Sequence, residues 1–276
     1  MGELRDLVLR DYTINGRRSG ARARAALDHL AIHFDAVSPR RIHDQAADYV
    51  LTRSGEGAAP ATIRYELAML RRGMNLAFRS GRIDRRPYVP AIRVSNARSG
   101  FFEPDQVELV IAHLPDPIDD MARFGAVTGW RISEIMGLTW DDVDRGDGVV
   151  RIAPGSSKNG EPRLFPYGEH PELAQLMAWR WAHRAGPHVF HRSGRRVRYI
   201  RRAWNGACDR AGVGGRLFHD LRRSAVRNME RAGVPRSVQM KLVGLKTESI
   251  HRRYAITNEE DLARGVRLLT EAAHSR

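Results

Sequence analysis

The chain has 276 residues, 46 Lys plus Arg against 32 Asp plus Glu, and a single cysteine. A hydrophobic fraction of 42% and a charged fraction of 28% suit one large or two ordinary folded domains and exclude a disordered chain. No run nears the ~18 apolar residues of a membrane span, and a lone Cys208 excludes a disulfide scaffold or a thiolate metal cluster.

The first residues, MGELRDLVLRDY, carry charges throughout and hold no apolar signal core. The expected home is therefore a reducing cytoplasm. The formal net charge is +14 and the pI near 10.9, which points to a polyanionic partner. Divided at residue 97, the chain has 17 basic and 10 acidic residues before and 29 and 22 after, so each part carries +7. Of the 46 basic residues only Lys158, Lys241 and Lys246 are lysines. Genome base composition accounts for Arg replacing Lys, but not for the surplus over acids.

In chain order, the N-terminal part reads as helices. Residues 20–34 set Ala26, Leu27, Leu30 and Phe34 on one face. Residues 39–52 open with Ser38 and Pro39, an N-cap and first-turn pair. The segment PATIRYELAMLRRGMNLAFRSG places Ile63, Leu67, Leu70, Met74 and Phe78 in a stripe, with Gly81 as the stop. Arg64, Arg71, Arg72 and Arg79 lie largely off that stripe and are candidate phosphate grips. Residues 87–100, with two prolines and no period, are the linker candidate. The N-terminal unit is expected to begin at once, leaving little room for an additional domain before it.

Beyond the linker, helical patterns at 104–114 and 117–128 lead into TGWRISEIMGLTWDD. The β-prone stretches 148–153 and 162–166 flank the turn-rich PGSSKNGE and predict a hairpin. Helical patterns return at 171–185, 197–211, 217–231, 235–243 and 247–255. The last, over 258–274, shows acids in its first turn and apolar Leu262, Val266 and Leu269. The expected fold is mainly α with a small β-sheet: an all-α unit over 1–97 and an α+β unit over 98–276.

Common enzyme signatures are missing. There is no GxxxxGK[ST] loop, no GxGxxG after a strand, no HExxH, and no acidic cluster suited to a magnesium-dependent nuclease. His188 and His191 lack an obvious third ligand, so no metal is expected. An enzyme acting on phosphates without a metal must offset their charge with side chains. Four segments offer such cations around a nucleophile. Arg131 opens an apolar helix in TGWRISEIMGL, and Lys158 sits at the turn of SSKNG. His219 and Arg222 stand three apart in LFHDLRRSAVRN, on one helical face. Tyr254 follows two arginines in SIHRRYAI.

Taken together and in this order, these segments resemble the boxes of the tyrosine recombinase, or phage integrase, family. The first box matches TGWRISEIMGLTWDDVD with Arg131 and a supporting Glu134, and the hairpin lysine matches Lys158. The His-x-x-Arg box matches HDLRRSAV with His219 and Arg222. The terminal box matches LVGLKTESIHRRYAI with Tyr254. One position departs: where the family usually has His or Trp after the box's glycine, this chain has Leu245 after Gly244. Leucine offers no hydrogen-bond donor, so its part would be packing. His251, three residues before Tyr254, is expected on the surface of the tyrosine helix.

The resemblance implies a helical core-DNA-binding domain over 1–97 and a catalytic domain over 98–276 that clamp a duplex between them. It implies site-specific cleavage and rejoining of double-stranded DNA through a 3′-phosphotyrosine, with neither metal nor ATP. Tyr254 would be the nucleophile, His219 the base, and Lys158 the acid for the leaving 5′ oxygen. Arg131 and Arg222 would hold the phosphate, with Glu134 as an orienting partner. The implied partners are DNA and three further copies in a tetramer on paired sites, from a monomer or dimer when free, near the nucleoid and away from membranes. The 258–274 helix would be exchanged between subunits. Rival readings are a regulator of weak activity on the same fold, which Leu245 favours, a type IB topoisomerase-like enzyme, and a basic binding protein without enzymatic relation.

Overall fold

The structure, a computed structural model, describes residues 1–17, 19–38, 41–94, 100–153 and 162–251, together with 254, 263, 266, 267 and 270. Two compact units divide the chain, Met1–Ala97 and Arg98–Arg276.

In the first unit four helices, α1 (Gly2–Ile14), α2 (Gly20–Phe34), α3 (Ile42–Gly55) and α4 (Pro60–Arg79), close around one apolar core. Helix α1, which its dense charges hide in the sequence, contributes only Val8 and Tyr12 as fully buried residues. All four apolar positions expected on α2 are buried. On α4, Ile63, Leu67, Leu70 and Met74 face inward, but Phe78 is exposed and Ala77 takes the inner position. A 3.6-residue repeat drifts across a 20-residue helix, and here it has turned Phe78 out. A polar knot crosses this core: Glu66 accepts from the Tyr49 hydroxyl at 2.8 Å and from Arg53 Nη2 at 3.0 Å.

The second unit is mainly α with small antiparallel sheets. Helices α5 (Pro104–Ala112), α6 (Ile118–Thr128) and the single turn α7 (Ile132–Ile135) precede strands β1 (Val143–Asp144), β2 (Val149–Ile152) and β3 (Arg163–Pro166). The three strands form one sheet in the order β1-β2-β3, with Val150 opposite Phe165 and Ile152 opposite Arg163. Helix α8 (Pro171–Ala182) is followed by a two-stranded ribbon, β4 (His191–Arg192) with β5 (Arg195–Arg196), and then by α9 (Arg201–Arg210). Helices α10 (Asp220–Arg231), α11 (Arg236–Val243) and the one-turn α12 (Glu248–His251) complete the described order.

The core of this unit is rich in aromatics, with Phe124 at its centre in edge contact with both Trp130 and Phe190. The ribbon, which the sequence reading does not anticipate, lies just before the helix expected over 197–211, and that helix in fact begins at Arg201. Two strand residues on each side of a Ser193-Gly194 turn are too few to show alternation. No helix among the described residues is long and apolar enough to cross a membrane.

Candidate active site

The site grows from two helix ends. Helix α6 stops at Gly129, in the left-handed conformation at φ 64°, and α11 stops at Gly244, at φ 71°. Glycine takes this conformation without steric cost, which is why it ends helices. A Cβ on Gly244 would also collide with the Arg163 guanidinium, so the α11 terminus can sit where it does only with glycine there.

Side chains from elsewhere satisfy the last carbonyls of α11. Trp130 Nε1 donates to Leu242 O at 3.0 Å, Arg163 Nη1 to Val243 O at 3.3 Å, and Arg222 Nη2 to Gly244 O at 3.1 Å. Arg222 Nη1 donates in turn to Gly129 O at 2.8 Å, so one guanidinium ties both helix ends together. A cation against helix C-termini also meets their negative dipole ends. Arg222 is 1% exposed. Burial, and then the nearby Arg131 charge, pull its pKa down to about 10, which leaves it protonated at neutral pH.

Arg131 precedes α7. Its backbone N–H donates to Glu134 Oε2 at 2.9 Å and its Nη1 to Glu134 Oε1 at 3.0 Å. Glu134 is buried, which alone would raise its carboxyl pKa. The hydrogen bonds from Arg163 and from the Arg131 N–H reverse this and hold it below the usual carboxylate range.

His219 stands just before α10, exposed at the rim, and Arg222 follows in the first turn. Tyr254 lies beyond α12, where its backbone N–H donates to His251 O at 2.8 Å. The two segments bring His219 Nε2 to 3.1 Å from the Tyr254 hydroxyl, with the Arg222 guanidinium 5.6 Å from the tyrosine ring centroid. Loss of solvation, then the positive charges of Arg222 and Arg131, hold the His219 imidazole below its ordinary value of 6.5. Its neutral form therefore prevails at pH 7 and can accept a proton from a hydroxyl in hydrogen-bond reach.

Leu245 is 6% exposed and joins Val226 and Val243 in a small apolar cluster, against which Tyr254 packs. It lines the floor below the tyrosine. His251 corrects the expectation of a surface position: it is 1% exposed, and its Nε2 lies 2.9 Å from Oε1 of the fully buried Gln239. A polar residue on so short a helix gives no period from which its inward face can be read.

The structure thus brings Arg131, Glu134, His219, Arg222, Leu245 and Tyr254 to one place. Lys158 lies outside the described residues, as do Leu262 and Leu269 of the C-terminal stripe, while Val266 is described and exposed. In the first unit, Arg71 donates to Val89 O at 3.0 Å and Pro90 O at 3.2 Å, and Arg72 is paired with Asp11. These two arginines brace the unit, and the expected linker is packed at its start, where Val89 is buried. Arg64 and Arg79 are exposed. His191 is buried against the N–H groups of Ala185 and Gly194, as a brace for the ribbon. No group of three potential metal ligands occurs among the described residues.

Two features escape the sequence reading. Arg163 is a buried strand residue, and the segment 192–202 carries Arg192, Arg195, Arg196, Arg198, Arg201 and Arg202, all exposed, beside a Tyr199 that is 68% exposed. The run HRSGRRVRYIRR contains no acid and could have been singled out by charge alone.

The fold is shared with solved integrases. A lambda integrase fragment (75-356), solved as a dimer bound to a COC′ core site, matches with a TM-score of 0.77 and 16% identity, over 92% of this chain and 95% of that one. A lambda integrase tetramer bound to a Holliday junction matches with a TM-score of 0.73 and 15% identity, over 91% of this chain and 76% of that one. The integrase of Salmonella phage P22 is 28% identical over 215 residues, 72% of this chain and 54% of the P22 protein. The chain thus spans about half the length of that curated relative. The model of the phage integrase family matches residues 101–261, more than half of the chain, and the chain belongs to that family.

Proposed function

We propose that this protein is a site-specific DNA recombinase that cuts and rejoins duplex DNA through a covalent 3′-phosphotyrosine. The observation that carries the reading is the 3.1 Å approach of His219 Nε2 to the Tyr254 hydroxyl, made beside Arg222 and Arg131. A phenol is ordinarily protonated at neutral pH, and a neutral imidazole beside it is the base it needs.

In the proposed cycle Tyr254 Oη attacks the scissile phosphorus while His219 takes the phenolic proton. Arg131 and Arg222 hold the nonbridging oxygens by charge-assisted hydrogen bonds as the extra negative charge develops. The bond to the 5′ oxygen breaks, and Lys158 gives that oxygen its proton. Attack by a 5′ hydroxyl on the phosphotyrosine reverses these steps and restores the phosphodiester. The ester conserves the bond energy, so the cycle draws on no ATP, and the cations take the charge-offsetting part that a metal has in other phosphoryl transfers. The partners are double-stranded DNA and, during exchange, further copies of the chain on paired sites; the C-terminal segment over about 258–274 is the proposed exchanged element. The net charge of +14 supports the DNA partner, and the nucleoid is where such a partner would be met. The first unit, 1–97, is proposed to hold DNA through its exposed Arg64 and Arg79.

The test uses a nicked duplex containing a site selected from random DNA by this protein. Wild type is expected to form an adduct that survives denaturation, and Tyr254→Phe none. Specific binding of that DNA without any adduct would favour the regulator reading instead.

A further inference from the structure

Strand β3 alternates, but one of its inward residues, beside the buried Phe165, is an arginine. In Arg163-Leu164-Phe165 the arginine faces inward, with its side chain 3% exposed, while Leu164 is 48% exposed. Burying a guanidinium costs stability unless its partners are good, and such costly choices concentrate at functional sites.

The partners are specific. Arg163 Nη1 donates to Glu134 Oε2 at 2.7 Å, and Nη2 pairs with Oε1, a fork-to-carboxylate contact. Val243 O accepts a further bond, the Trp130 ring centroid lies 5.8 Å from the guanidinium carbon, and the missing Cβ of Gly244 leaves it room. Each oxygen of Glu134 therefore receives one bond from Arg163 and one from Arg131.

We propose that Arg163 is a positioning residue for Arg131: it carries the negative charge of Glu134, so that the charge of Arg131 is left for the scissile phosphate. The inference rests on the recombinase reading above. A pair of Arg131 and Glu134 alone is neutral and offers a phosphate little net attraction, whereas the triad of Arg163, Glu134 and Arg131 retains one positive charge. It also leaves donors: of its guanidinium, Arg131 spends only Nη1 on the carboxylate, at Oε1, while Arg163 supplies a guanidinium bond to each oxygen. Arg163 itself is too deep to reach DNA and acts only through its neighbours. Without it, Glu134 would draw Arg131 inward and cancel it.

The test compares wild type with Arg163→Met and Arg163→Lys in the full chain, by single-turnover adduct formation on two nicked duplexes. One carries the natural phosphodiester. The other carries a methylphosphonate at the cleaved position, which is uncharged and no longer needs the charge of Arg131. On the phosphodiester, Arg163→Met is expected to be slower by about 10- to 100-fold, the usual cost of losing an orienting partner. On the methylphosphonate the gap between variant and wild type should close. Arg163→Lys, with its charge kept but its fork lost, should fall between them. In an Arg131→Ala background, Arg163→Met should add nothing, since the two act as one unit.

Equal slowing on both duplexes would mean that Arg163 merely supports the fold, and full activity on the phosphodiester would mean that it has no part; either overturns the proposal. Should Arg163→Met fail to fold, the two-duplex ratio for Arg163→Lys decides by the same outcomes. If wild type itself forms no adduct on the phosphodiester, the recombinase reading falls and takes this inference with it.

Discussion

The buried arginines of the site and the exposed arginines of segment 192–202 are one residue type under two regimes. Arg222 and Arg163 are 1% and 5% exposed, and each is held by backbone carbonyls or a carboxylate in a fixed direction. Arg192, Arg195, Arg198, Arg201 and Arg202 are exposed, and among the described residues their guanidinium groups have no ion-pair partner. Buried cations act at short range in a medium that screens them little, so their value depends on angle and distance. Exposed cations act through screened, additive attraction to a polyanion. The first group should therefore govern the chemical step and the second affinity, and each prediction below tests that division.

The largest effect is expected at Arg222. Lysine keeps the charge but presents its donors from a single point, so it cannot span Gly129 O and Gly244 O and still face a phosphate. Arg222→Lys should lower single-turnover adduct formation by about 10²–10³-fold, the scale of one lost oxyanion donor. DNA affinity, measured by titration at moderate salt, should change little. A large loss of affinity with an intact cleavage rate would erase the distinction between the two groups.

Next comes His219. Its pKa is held below 6.5, so its neutral, proton-accepting form is present above that value and lost as the pH falls through it. The acidic limb of the cleavage rate should accordingly lie below pH 6.5, and should vanish in His219→Asn together with about 10²–10⁴-fold of the rate. A limb centred above 6.5 would assign the titration to another group.

How much of this site the sequence discloses depends on what each residue must do. Arg131, His219, Arg222 and Tyr254 are legible because four short segments, each weak alone, resemble the family's boxes in their order, spacing and flanking residues. Their meeting at one place depends on tertiary closure between α6, α10 and α11, which no local pattern encodes. Arg163 is hidden for a different reason. PRLFP carries an apolar residue on each face of the strand, so alternation alone does not disclose that Phe165 turns inward and takes Arg163 with it, to meet Glu134. Phe78 and His251 fail in opposite senses, one an apolar residue turned outward by helical drift and one a polar residue buried by a glutamine. The hairpin over 149–166 is legible because turn-rich residues separate two β-prone runs.

Leu245 gives a smaller effect that sharpens the comparison, since it lies in the cleft but carries no charge. A histidine there would regain the donor usual in the family, but in an apolar setting built by Val226 and Val243. Leu245→His should leave cleavage per folded molecule unchanged or raised, and lower thermal stability by about 1–3 kcal/mol for the buried polar ring. Unfolding curves alongside adduct rates separate the two effects. A large drop in the rate of the folded fraction would show that the apolar floor beneath Tyr254 is itself needed to aim the hydroxyl.

The smallest effect on chemistry is expected from segment 192–202, and it bears most directly on the division between the two groups. Arg195 and Arg198 are exposed on a segment free of acids, so each phosphate they neutralise should release its condensed counterion. Changing both to alanine should reduce the slope of log affinity against log salt by about 2, close to 0.9 per lost contact. At saturating DNA the rate of adduct formation should stay within about threefold of wild type, because uniform binding lowers substrate and transition state alike. The salt slope distinguishes this from misfolding, which would reduce the bound fraction without changing the slope. If the double variant instead lost cleavage at saturation, this segment would be holding DNA in the reactive pose, and geometry would extend from the buried arginines to the exposed ones.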